Sequence, residues 1–170
     1  MAYLRFSFWV LFVGLICFVA ACSSKRSATT SSAPSLSKAA KTRQLIIQEA
    51  EKLKGVPYRA AGKDPRGFDC SGFTYYIYKK HDILLSSSSG AQSKQGKEIS
   101  IAKAQNGDLL FFGPDGRNGR IQHVGLVYKN TSEGLYMIHS SSKRGIVVDN
   151  ISTSKYWKPK LLFARRVLPN

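Results

Sequence analysis

Cys70 stands behind an acidic residue in the stretch Phe68-Asp69-Cys70-Ser71-Gly72-Phe73. Upstream, Gly62-Lys63-Asp64-Pro65-Arg66-Gly67 is too rich in turn formers to be a regular element. Downstream, Phe73 and Ile77 recur at helical spacing, which makes Asp69 the expected N-cap and puts Cys70 in the first turn. The unpaired amides and the dipole of a helix N-terminus stabilise a thiolate, the nucleophilic form of cysteine. A free cysteine is also commonly a small buried apolar side chain, and this stretch by itself leaves both readings open.

A cysteine nucleophile needs a base within hydrogen-bond reach, and the base needs an orienting group. Of the three histidines, His81 falls about three turns from Cys70 at the wrong end of its helix and is set aside as surface. His123 opens His123-Val124-Gly125-Leu126-Val127-Tyr128, and His139 closes Leu135-Tyr136-Met137-Ile138-His139. Residues 129–134 between them have the length of a hairpin loop. Pairing the strands through that loop sets His123 directly opposite His139, about 5 Å apart at Cβ on one face. A slip of one residue would send the two to opposite faces. The same three side chains are of the types that bind zinc. They come from well-separated elements, with no close Cys or His pair and no evident fourth ligand. Nucleophile, base and orienter fit them better, and that chemistry needs no metal or organic cofactor.

The surrounding elements follow from periodicity. Ala39, Ile46, Ile47, Ala50 and Leu53 approximate one face of a helix over residues 38–54, with Gly55 as its stop. The Cys70 helix is expected to run to about His81, and a short helical piece lies around residues 92–95. Short apolar or β-branched runs at residues 108–112, 122–128, 135–139, 146–148 and 161–167 read as strands between turn signals. Helices first and strands afterwards, with short connections, predict an α+β domain in which an antiparallel sheet packs on the cysteine helix.

The chain has 170 residues, enough for one domain with a real core. Arg5 precedes an apolar run over residues 6–21, closed by Val19-Ala20-Ala21-Cys22. This is a secretory signal, too short for a comfortable membrane span. Cys22 behind small residues resembles a bacterial lipobox, so residues 1–21 are expected to be a lipoprotein signal peptide. Residues 22–37 would then be the lipidated cysteine and a Ser/Thr/Ala-rich linker reaching roughly 20 Å, and 38–170 the folded domain. Cys17 leaves with the signal and Cys22 carries lipid, which leaves Cys70 without a disulfide partner. A lone thiol in an oxidising compartment favours the catalytic reading. Lys and Arg number 26 against 10 Asp and Glu, a formal charge of +16. The basic residues are scattered, with no cluster resembling a nucleic-acid module. They suit attraction to the carboxylates of a cell wall or to anionic lipid.

Gly55-Val56-Pro57-Tyr58-Arg59, the Cys70 stretch, Gly107-Asp108-Leu109-Leu110-Phe111-Phe112, the His123 strand and Ile138-His139-Ser140 together resemble the NlpC family of cell-wall cysteine peptidases. The tail from Tyr156-Trp157-Lys158 to Val167-Leu168 is similar to that of its Spr-type murein endopeptidase lipoproteins. The resemblance covers roughly residues 40–168. It implies a papain-like α+β fold, with Cys70 as nucleophile, His123 as base and His139 as the group orienting it. It also implies that Tyr58, Asp69 and Ser71 line the substrate pocket, Ser71 lying near the oxyanion site with the Cys70 N–H. The implied substrates are peptidoglycan stem or cross-bridge peptides, cut at γ-D-glutamyl–diaminopimelate or D-alanyl–diaminopimelate links by a monomer. Membrane attachment would come through lipid on Cys22, and Ser23 after it points to the outer membrane, facing the periplasm. Two segments depart from the family pattern, Ala60-Ala61-Gly62 and Leu85-Ser86-Ser87-Ser88-Ser89, and both are expected to border the substrate groove. A wall-binding lipoprotein without activity, and an acyltransferase or amidase on another amide, remain the alternatives that product analysis would separate.

Overall fold

The computed structural model describes residues 37–114 and 120–168. The expected signal over residues 1–21, the lipidation site Cys22 and the linker up to residue 36 lie outside the described residues.

Helix α1, Lys38–Lys52, opens at Ser37, whose hydroxyl accepts the Ala40 N–H at 3.2 Å. Such a cap contributes about 1 kcal/mol. Its inner face carries Ile46, Ile47 and Ala50, as the periodicity predicts, and Leu53 follows just beyond its end. Arg43 is buried on the same helix. Its Nη1 donates to Asp108 Oδ1 at 2.9 Å, while Arg166 donates to the same carboxylate through Nε at 3.1 Å and Nη2 at 2.8 Å. Asp108 is fully buried. Two guanidinium groups satisfy it, and removing either would leave part of the buried carboxylate's hydrogen-bonding capacity unmet.

The loop flagged by its turn residues contains a small antiparallel ribbon, β1 (Lys63–Asp64) with β2 (Gly67–Phe68). Helix α2, Cys70–Lys79, starts where expected, the Asp69 carboxylate accepting the Gly72 N–H at 2.6 Å. It ends two residues before His81, which is half-buried in the following turn rather than freely exposed. Helix α3, Ser89–Gln92, begins earlier than the sequence suggested because Ser88 accepts the Ala91 N–H and caps it. Gln92 is fully buried and donates to the carbonyls of Ser71 and Ser86 at 3.0 and 2.8 Å, tying α3 to α2.

The remaining strands are β3 (Lys97–Ile99), β4 (Leu109–Phe112), β5 (His123–Thr131), β6 (Gly134–Ser141), β7 (Gly145–Asn150) and β8 (Leu161–Arg166). They form one antiparallel sheet in the order β3-β8-β4-β5-β6-β7. Periodicity did not reveal β3, three residues with two charges on the sheet edge, a composition that discourages further strand addition. Alternation along the strands covers both faces. Leu109, Phe111, Val124, Leu126 and Ile138 pack with Ile46, Phe73 and Ile77 of the helices. Leu110, Phe112, Val127 and Met137 build a second cluster on the other face with Ile151 and Ala164. The result is the papain-like α+β arrangement expected, with α2 lying on β5 and β6.

The start of α2 is held by backbone approach as well as by its cap. The Gly62 carbonyl accepts the Asp69 N–H at 3.0 Å, and a Cβ at Gly72 would stand 1.9 Å from that same oxygen. Neither partner is a flexible side chain, so the clash can be relieved only by moving the helix. Gly72→Ala is expected to cost about 3 kcal/mol or more, the upper range for overpacking. Denaturant unfolding of the full chain measures it, and a loss below about 0.5 kcal/mol would contradict the close approach.

Candidate active site

Cys70, the first residue of α2, opens onto a cleft of about 790 Å³ that also reaches His123, Asp149 and Trp157. The backbone amides of Val124, Ser71 and Cys70 lie toward its sulfur, as a helix start packed against a strand allows. They favour the thiolate, but burial outweighs them and, with the Asp69 charge, pushes the thiol above its ordinary value. The sequence predicted net stabilisation of the thiolate. The amides are present, and desolvation is the larger effect.

His123 opens β5, and His139 lies near the end of β6, fully buried. The pairing Leu126↔Ile138 and Val127↔Met137, continued toward the cleft, sets Gly125 opposite His139, with His123 two residues further along. The histidines are therefore diagonal, not directly opposite as the sequence reading had them. The difference arises at the hairpin: strand pairing runs through Thr131↔Gly134, leaving a two-residue turn, and the register shifts between Val127 and Lys129. An offset of two residues preserves the face. His123 Nε2 thus still lies 2.9 Å from His139 Nδ1, the rings edge to face with centroids 4.9 Å apart. Gly125 makes room for this diagonal, since a Cβ there would meet Met137 Sδ at 2.4 Å and His139 Cβ at 3.0 Å.

Two further side chains close the group, and the sequence reading gave neither a role in the site. His139 Nε2 lies 3.0 Å from Asp149 Oδ2. The same oxygen accepts from Arg144 Nη2 at 2.6 Å and from Trp157 Nε1 at 3.0 Å. Trp157 stacks on His123 at 4.7 Å and 28° and meets His139 edge-on at 5.0 Å. In the sequence Trp157 counted only toward the tail that resembles Spr-type lipoproteins, and Asp149 stood without a role just after the strand read at residues 146–148. Burial, followed by the charge of His139, lowers His123 to about 3, against a smaller opposing effect of Asp149. Burial also lowers His139, again opposed by Asp149. Burial raises Asp149, but Arg144, His139 and Trp157 together hold it well below the usual carboxylate range.

The positions implied to line a pocket separate. Tyr58, 40% exposed, borders the cleft. Asp69 and Ser71 are occupied in building the first turn of α2: the Ser71 hydroxyl lies 3.0 Å from Asp69 Oδ1 and 3.2 Å from the Ser87 carbonyl. The departing segments 60–62 and 85–89 are not among the described residues that line the cleft, so they do not border this groove as expected. Its far wall comes from the β6–β7 turn and the link to β8, including Lys143, Tyr156 and Lys160. Among the described residues, no group of three or more His, Cys, Asp or Glu is arranged to hold a metal ion.

The family model described as NlpC/P60 matches residues 55–166, which span the Cys70 helix, both histidine strands and β8. The chain belongs to the NlpC/P60 family. The γ-DL-glutamyl hydrolase of Bacillus subtilis (strain 168) is 34% identical over 125 residues, 73% of this chain and 30% of that protein. The murein DD-endopeptidase MepS/murein LD-carboxypeptidase of Escherichia coli (strain K12) is 33% identical over 124 residues, 72% of this chain and 62% of that protein. Among solved structures, an NlpC/P60 family protein from Bacillus cereus ATCC 10987 superposes with a TM-score of 0.68 at 37% identity, covering 75% of this chain and 40% of that one. The chain therefore spans about a third of the B. subtilis relative and just under two thirds of the E. coli one.

In this NlpC/P60 domain burial raises the thiol and lowers the imidazole that shares its cleft, and both shifts favour the neutral forms. Thiolate should accumulate only as pH climbs past the ordinary cysteine value, because deprotonation is what burial opposes. Alkylation of Cys70 by iodoacetamide should accordingly rise with pH to a midpoint above that of free cysteine. A reactive plateau extending below pH 6 would reveal an ion pair and contradict the neutral resting state.

Proposed function

We propose that the chain is a cysteine endopeptidase acting on the stem or cross-bridge peptides of peptidoglycan through a thioester intermediate. The observation that carries this reading is the Cys70 thiol, set at the first turn of α2 in the cleft that also holds His123. His123 Nε2 faces His139, so Nδ1 is the ring nitrogen that takes the thiol proton. The sulfur then attacks the scissile carbonyl carbon. Amides at the start of α2 receive the developing oxyanion, an effect worth about 3–4 kcal/mol per donor in other hydrolases. The proton passes from His123 to the leaving amine. Water, deprotonated by His123, hydrolyses the thioester and restores the thiol.

Two further observations support the substrate class. Lys143 and Lys160 on the cleft wall suit a ligand rich in carboxylates, as stem peptides are. The relatives named above are called a γ-glutamyl hydrolase and a murein endopeptidase. The same reading has the chain exported and held to the membrane by lipid on Cys22, probing the wall as a monomer within reach of the linker over residues 23–37. The apolar run at residues 6–21 and Val19-Ala20-Ala21-Cys22 support that placement.

The test is to incubate the full chain and its Cys70→Ala variant with purified peptidoglycan and identify the released fragments by chromatography and mass spectrometry. Conversion of cross-linked dimers to monomers would assign the D-alanyl cross-bridge; shortened stems would assign the γ-D-glutamyl bond. The variant should lose about 10³-fold or more of the rate while melting at the same temperature. Unchanged peptidoglycan with a folded, reduced parent chain would overturn the reading.

A further inference from the structure

A carboxylate is an acceptor only, whereas a neutral imidazole donates through one nitrogen and accepts through the other. Asp149 Oδ2 lies 3.0 Å from His139 Nε2, so that nitrogen must carry its proton. His139 Nδ1 is then bare and can only accept, which requires the proton of His123 to sit on Nε2, 2.9 Å away. His123 Nδ1 is left with its lone pair. Two hydrogen bonds in series thus fix the one tautomer of the base able to receive a proton from a thiol.

We propose that Asp149 is a positioning residue of this site, setting the tautomers of His139 and His123 from the end of the line remote from Cys70. The inference rests on the peptidase reading above but adds a residue to it. Asp149 is suited to the part because its own orientation is fixed from outside the line. The Arg144 guanidinium donates to Oδ2 from the β6–β7 turn, and the Trp157 indole N–H donates to it from the link to β8. Trp157 also lies flat on His123, so one side chain sets both ends of the histidine pair and covers the base from solvent. An amide in place of Asp149 could present its NH₂ to His139 Nε2. That would reverse the line, placing a proton on His123 Nδ1 where the thiol's proton has to go.

The experiment uses the full chain with ¹⁵N-labelled histidine. Ring nitrogen shifts and their couplings in the parent protein should report His139 protonated at Nε2 and bare at Nδ1, with His123 the same. In Asp149→Asn the two tautomers should mix, kcat on peptidoglycan should fall at least tenfold, and KM and the melting temperature should stay within twofold and about 2 °C. Trp157→Phe, which keeps a ring over His123 but removes the donor to Asp149, should show a smaller fall in kcat. A parent protein with His139 protonated at Nδ1 would overturn the proposal, and so would Asp149→Asn with unchanged kcat. If Asp149→Asn does not fold, the parent tautomers and Trp157→Phe decide the matter. The tautomer measurement needs no substrate, so it stands or falls separately from the choice of peptidoglycan as the target.

Discussion

A Cβ at Gly72 would lie 1.9 Å from the Gly62 carbonyl, so α2 can begin where it does only because that position has no side chain. From this contact the rest of the site follows. The Asp69 cap fixes the first turn, and α2 packs directly on β5. His123 is the residue before Val124, so the packing of α2 against β5 also sets how far the base can be from the thiol. The geometry is carried by backbone on both sides, with little left to side-chain rotamers.

Burial is the larger electrostatic influence on both members of the pair. A helix N-terminus contributes about 0.3–1 kcal/mol to an adjacent anion, up to about 2 kcal/mol where partly buried. Desolvation of a fully buried group can shift its pKa by about 3–5 units, which is about 4–7 kcal/mol. The amides thus temper the penalty on the Cys70 thiolate without reversing it, and His123 is held neutral by the same surroundings. A neutral thiol beside a neutral imidazole reacts little with adventitious electrophiles. It becomes a nucleophile when a carbonyl arrives to take up the charge, and the same dry setting strengthens the amide contacts to the oxyanion.

Much of this was legible in the sequence, and the misses have a common physical origin. Local periodicity gave α1, α2 and five strands of the sheet, and it placed His123 and His139 on one face. The face survived because the true register differs by an even number of residues. The register itself did not, since a turn of two residues and a shift beside Tyr128 leave no mark in hydrophobic alternation. Strand β3 is legible only from its partner: Lys97, Glu98 and Ile99 form a strand because β8 offers an edge. Asp69 and Ser71 were expected at the pocket from resemblance, yet their nearest polar groups are those of their own helix. Asp149 was invisible for the same reason that β3 was. Its partners lie at positions 139, 144 and 157, and no short pattern joins them.

The second face of the sheet explains how a polar line can persist in apolar surroundings. His123 and His139 occupy the end of the face that continues as Val127 and Met137, with Phe112 and Trp157 beside them. A buried imidazole left without a partner would cost about 1–3 kcal/mol, so such a line is stable only when each member is satisfied by the next. Here it terminates in an anion, and that anion is itself met by Arg144 at the rim of the cleft. The line runs from the interior of the sheet to a charge at the surface. Because its last acceptor cannot donate, every hydrogen bond between Asp149 and His123 points the same way, toward Asp149. The far end is left as a lone pair on the base.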